Sequence, residues 1–146
     1  MRAPLIVINA AVHYACLAML DLALHIDSPN PVRAADITQR NQIPGPYLVQ
    51  ILRTLKSNGW VRATRGSQGG YRLAVDADSI SLLDIADAIG CPEASPSCSD
   101  ESHPPERVLQ ACWHDATESS RSRLAQVRLG DLARQCKDQN VSMFYI

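Results

Sequence analysis

Apolar residues recur at helical spacing near the start of the chain, where Ala15, Ala18, Met19, Leu22 and Ala23 share a face. That pattern predicts a long helix from Ile8 to His25. The run Asp27-Ser28-Pro29-Asn30-Pro31 ends it, because two prolines and turn-forming residues cannot continue the hydrogen-bond ladder. A short helix follows over Arg33 to Arg40, with Ala34, Ala35 and Ile37 facing inward. After the turn Asn41 to Pro46, a third helix begins, in whose first turn Pro46 is tolerated because its missing amide would lack a partner anyway. It carries Leu48, Ile51, Leu52 and Leu55 on one stripe and stops at Asn58-Gly59, a left-handed cap signal.

The pattern then changes period. Trp60 to Thr64 alternates like a strand, and Tyr71 to Val75 is its expected partner. Gly66, Gly69 and Gly70 between them are expected to supply the positive backbone angles of a hairpin loop. Ser79 or Ser81 can cap a helix running through Leu82, Leu83, Ile85, Ala86 and Ile89. The stretch from Gly90 to Pro105 reads as a loop. Helical spacing resumes from Glu106 to Val127 with Val108, Ala111, Cys112, Ala116 and Leu124, and a short helix is expected over Leu129 to Gln135. The fold class is therefore mainly α with a small β-hairpin. Two short helices joined by a tight turn and followed by that hairpin form a winged helix-turn-helix.

Charge sharpens this picture. The 146 residues carry a net charge of only -1, but the charges are segregated. From Val32 to Leu73 seven basic residues (Arg33, Arg40, Arg53, Lys56, Arg62, Arg65, Arg72) stand against the single acid Asp36, whereas Val75 to Glu118 holds ten acids against Arg107. Basic charge gathered on one segment is the footprint expected for phosphate contact. The third helix has a polar and basic outer stripe of Tyr47, Gln50, Arg53 and Lys56. The candidate DNA-contacting set is Arg33, those four, and Arg65, Gly66, Ser67, Gln68, Gly69 and Gly70 of the wing. A secretory leader pattern and an uninterrupted membrane-spanning run are not seen, so the chain reads as cytosolic, and its five cysteines are expected as free thiols or ligands rather than disulfides.

Several segments carry a resemblance. Tyr14-Ala15 through Leu22-Ala23-Leu24-His25, Tyr47-Leu48-Val49-Gln50-Ile51-Leu52, Asn58-Gly59-Trp60-Val61, and above all Arg65-Gly66-x-x-Gly69-Gly70-Tyr71-x-Leu73 resemble the IscR/NsrR family of bacterial winged-helix regulators. Ile80 to Ile85 and Leu129 to Leu132 continue the likeness. It implies a homodimer binding double-stranded DNA at a two-fold-related operator, usually as a repressor, with Arg65 entering the minor groove. Residues 1–90 would then be the winged helix-turn-helix, 91–104 a cysteine-containing loop, and 105–146 a long dimerisation helix with the C-terminal segment. Val49 sits where several relatives carry a polar reader, so their operator sequence does not carry over.

Many members of that family hold an iron–sulfur cluster on three evenly spaced cysteines before the dimer helix, and soft thiolates suit iron. Here the regular triplet is missing: Cys91 and Cys98 are followed by His103, and Cys112 stands beside Trp113. Two readings stay open. In one, Cys98 with Cys91 or Cys112, helped by His103, holds a cluster, and His13 occupies the neighbourhood of a ligand given by the partner subunit. In the other, the regulator is cluster-free and its thiols are incidental or react directly with oxidants. Two Cys and a His could also take zinc, although no CxxC unit supports it, and Cys16 reads as a small buried hydrophobe. A winged helix used as a protein-interaction module is the rival from another class. Catalysis is not expected, since no nucleophile motif, phosphate loop or carboxylate pair is apparent.

Overall fold

The structure is a computed structural model and describes residues 8–90 and 103–144, the side chains only as far as residue 139. Six helices and one hairpin follow in order: α1 (Ala10–Leu24), α2 (Ala34–Asn41), α3 (Gly45–Ser57), β1 (Val61–Thr64), β2 (Gly70–Leu73), α4 (Leu82–Ile89), α5 (Pro104–Gln126) and α6 (Leu129–Phe144). A 3-10 turn, Ala77–Ser79, precedes α4. The expected winged helix-turn-helix is thus present.

Helix α1 is the centre of the fold. Asn9, which interrupts the apolar run in the sequence, is its N-cap, and its side chain accepts from the Val12 amide at 2.9 Å. Val12, Ala15, Ala18, Met19, Leu22 and Ala23 are buried, joined in the core by Ile37, Leu48, Ile51, Leu52, Leu55 and Ile85 from the surrounding helices. One charged group is buried with them. Asp21 accepts two hydrogen bonds from the Arg40 guanidinium, Nε and Nη2, at 3.1 and 3.0 Å. This pair ties α1 to the end of α2 and removes Arg40 from the cations that the sequence offered to phosphate. His25 Nδ1 lies 2.8 Å from the Asp21 carbonyl, which can only accept, so that nitrogen carries the proton.

Local signals set the turns. Gln42 adopts the left-handed conformation (φ 53°) after α2, and the Ile43 amide reaches back to the Thr38 carbonyl at 3.2 Å. Ile43 is thereby driven into the core. At the end of α3, Gly59 (φ 76°) closes the helix with bonds from Gly59 to Lys56 and from Trp60 to Leu55, as the Asn-Gly signal predicted. Ser81 rather than Ser79 caps α4, in a reciprocal box with Asp84.

Three expectations need correction. Ala35 is exposed, not inward-facing. Pro104 and Pro105 belong to the first turn of α5 rather than to the preceding loop, since a helix start does not need their amides. Helix α6 continues to Phe144 instead of stopping at Gln135, because no glycine or proline after Gly130 breaks it. The C-terminal segment shares the core with the first helices: Leu129 and Ala133 are buried in the same cluster as Met19 and Leu22. Helix α5 behaves differently. Only Thr117 is buried along its 23 residues, and Arg121 holds it to α4 through a two-pronged pair with Asp87 at 3.0 and 3.1 Å.

Candidate nucleic-acid interface

The outer surface of α3 follows from its inner one. With Leu48, Ile51, Leu52 and Leu55 buried, the intervening positions must face out, and Tyr47, Val49, Gln50, Arg53 and Lys56 are exposed. They divide between two shoulders. Tyr47, Gln50 and Thr54 line a groove toward Ala11 of α1, and the Tyr47 ring meets that of Tyr14 edge-on, with centroids 5.6 Å apart. Val49, Arg53 and Lys56, at successive positions i, i+4 and i+7, form the other stripe. No acid stands in the first turn of α3, so its positive end is uncompensated there.

The wing is the antiparallel pair β1–β2, in register from Val61 opposite Leu73 to Thr64 opposite Gly70. Its tip turns over Gly66 to Gly69, closed by the Gly69 amide bonding to the Gly66 carbonyl at 3.0 Å. Here the expected role of the glycines is corrected. Only Gly66 has a positive angle (φ 110°). Gly69 and Gly70 are required for space: a side chain on Gly69 would collide with the Thr64 carbonyl, and a Cβ on Gly70 would come within 2.5 Å of the Val32 carbonyl oxygen. That close approach reflects a contact absent from the sequence reading. Val32 pairs with Tyr71 through two backbone bonds of 2.9 and 2.7 Å, making a one-residue third strand at the base of the wing. Arg33, the next residue, donates to the Ser67 carbonyl at 3.2 Å and so braces the wing tip against the start of α2.

The seven cations of this segment therefore separate. Arg40 serves Asp21, Arg72 donates to the Ser28 carbonyl at 2.8 Å, and Arg33 braces the wing. Arg53, Lys56, Arg62 and Arg65 are exposed and have no ion pair among the described residues. Sequence alone could not make this division, because it depends on which carbonyl or carboxylate the fold brings within reach.

A family model described as "Rrf2: Iron-dependent Transcriptional regulator" matches residues 8–135. The chain belongs to the Rrf2 family. Protein rrf2 of Nitratidesulfovibrio vulgaris is 34% identical over 126 residues, covering 83% of each chain. The HTH-type transcriptional regulator IscR of Photobacterium profundum is 34% identical over 132 residues, which span 88% of this chain and 76% of that one. Among solved structures, T. potens IscR superposes with a TM-score of 0.75 at 28% identity, covering 92% of this chain and 90% of that one. CymR, described as the global cysteine regulator of B. subtilis, gives 0.73 at 27% identity, over 89% and 98%. The resemblance read from the wing and helix motifs is thus upheld, and this Rrf2-family chain is a DNA-binding transcriptional regulator.

The ligand candidates fare differently. Cys91 and Cys98 lie outside the described residues. His13, His103 and Cys112 are each exposed, on the first turn of α1, at the N-cap of α5 and within α5. Among the described residues no three potential metal-ligating side chains come together. The described donors do not by themselves make a cluster site. Cys16 is partly buried against the core, where desolvation of its thiolate pushes the thiol up to about 11. Its reading as a small hydrophobe fits that environment.

Proposed function

We propose that this regulator acts as a homodimer that grips a two-fold-related DNA operator, laying α3 in successive major grooves and the Arg65 side chains in the flanking minor grooves. The observation that carries this reading is the set of exposed, unpaired cations on α3 and the wing, Arg53, Lys56, Arg62 and Arg65, with the wing braced to α2 by Arg33. Exposed cations at the edge of a helix suit phosphate, and the glycine turn lets the backbone beside Arg65 approach the duplex. Tyr47, Gln50, Ser67 and Gln68 are the polar contacts proposed beside them. Arg33 contributes chiefly by holding the wing.

The second copy is proposed to dock on α5, which exposes Val108, Leu109 and Trp113 along one stripe. An operator held in this way is closed to polymerase, so repression is the proposed mode, and the site of action is the bacterial cytoplasm. Residues 1–90 then form the DNA-reading part and residues 105–146 the assembly part, despite their shared core.

Salt-dependent binding of genomic fragments by the purified chain tests the reading. Affinity should fall steeply with salt, and Arg65→Ala should weaken it by about 30- to 100-fold, since each dimer loses two groove contacts. Binding that is weak, salt-insensitive and unchanged in Arg65→Ala would instead favour a protein-interaction module. The signal is tested separately by the visible spectrum of anaerobically purified protein. Iron-dependent colour that is bleached in Cys98→Ala supports a cluster, whereas a colourless, iron-free protein after reconstitution removes it.

A further inference from the structure

Val49 lies on the outward face of α3 and contradicts the polarity of its neighbours Gln50 and Arg53. It is 58% exposed, on the first turn and a half of the helix, at the head of the stripe that continues with Arg53 and Lys56. Its exposed neighbours Gln50 and Arg53 offer donors or acceptors; the Val49 side chain offers neither. Cβ bonds tilt toward a helix N-terminus, so its two methyl groups lie over the initial turn, where a recognition helix meets base edges. In the major groove one group is recognised by apolar contact, the C5-methyl of thymine. The rotamer of a β-branched side chain in a helix is nearly fixed, so those methyl groups are held without further ordering.

We infer that Val49 is a specificity-determining residue that selects a thymine at one position of each operator half-site by packing on its C5-methyl group. This rests on the DNA-binding reading above and adds what that reading lacks, a base preference. Arg53 and Lys56, one and two turns further along the same stripe, hold the backbone and so bring Val49 to the base edge.

The test begins by selecting bound duplexes from a random library with the full chain, then replacing each thymidine of the selected site in turn by deoxyuridine, which removes only the methyl group. One thymine per half-site should stand out, with a loss of about fourfold in affinity for each methyl removed and roughly 15-fold when both half-sites are changed. Val49→Thr, which keeps one methyl at the branch, should retain the discrimination; Val49→Ser should abolish it while leaving the salt dependence and the far-ultraviolet spectrum unchanged. Equal affinity for thymine and uracil at every position, or discrimination that survives in Val49→Ser, would overturn the assignment and leave the DNA-binding reading intact. No salt-dependent duplex binding at all would overturn both.

Discussion

Helices α3 and α5 use their apolar residues in opposite ways. Helix α3 has 13 residues and buries Leu48, Ile51, Leu52 and Leu55 in the core of its own chain. Helix α5 has 23, buries only Thr117, and leaves Val108 (64%), Leu109 (53%) and Trp113 (46%) in solvent. Both stripes have the same helical period. Periodicity reports that a face wants to leave water; it does not say whether the cover comes from the same chain or from another.

The comparison breaks first in stability. Leu55→Ala should cost about 2–5 kcal/mol in urea unfolding, because it deletes a fully buried side chain and leaves a cavity. Leu109→Ala should leave the stability of the monomer within about 0.5 kcal/mol, as expected of an exposed position. A large loss for Leu109→Ala in dilute protein would mean that α5 is covered within its own chain. Leu109→Asp should instead act on the proposed homodimer, raising its dissociation constant by at least about tenfold in sedimentation experiments, since a charge would be buried in the proposed contact.

A second contrast concerns the cations. Arg40→Ala should destabilise by about 2 kcal/mol, because it strips the buried Asp21 carboxylate of its main partner, discounted for the half-exposed guanidinium. Arg53→Ala, at an exposed position without an ion pair among the described residues, should leave urea unfolding unchanged and lower DNA affinity. If both variants lost stability equally, the division of the basic segment into structural and outward-facing cations would fail.

Smaller effects follow from the cysteines and from α6. Since the thiolate, not the thiol, attacks an alkylating reagent, Cys16, with its thiol raised to about 11, should label far more slowly at pH 8 than an accessible thiol at its ordinary value of 9.0. Cys112 is exposed on the α5 stripe, so its labelling should slow as protein concentration drives assembly. Peptide mass spectrometry after a short reagent pulse reads both. The weakest effect is that of Asp131, whose carboxyl is held below its ordinary value by the Arg134 side chain and by the Arg128 backbone amide. A depressed acid adds stability that is complete above its unfolded value and is lost as pH falls through the folded one. Asp131→Asn should therefore slightly flatten the acid limb of the stability profile, and a steeper limb would contradict the pairing.

The start and end of α3 and the order of the wing are legible in the residues, because Pro46 and Asn58-Gly59 have a local physical meaning and the change of period marks the strands. What was not legible depends on partners distant in sequence. Arg33 and Arg40 are both arginines of one basic segment, yet one meets Ser67 across 34 residues and the other Asp21 across 19. The glycine pattern predicts positive backbone angles at Gly69 and Gly70, but both are needed for their missing side chains, which no local pattern distinguishes. In the sequence Val49 is only a departure from relatives; its exposure gives the position its meaning.

The pairing of Val32 with Tyr71 has a consequence for timing. A hairpin of two four-residue strands is marginal in water by itself. Here two backbone bonds and the Arg33 brace make loosening of the wing require loosening of the segment that starts α2. The wing and the segment that starts α2 would then exchange their amide protons as one cooperative unit, so an event at the α1–α2 connection would reach the far tip of the reading head.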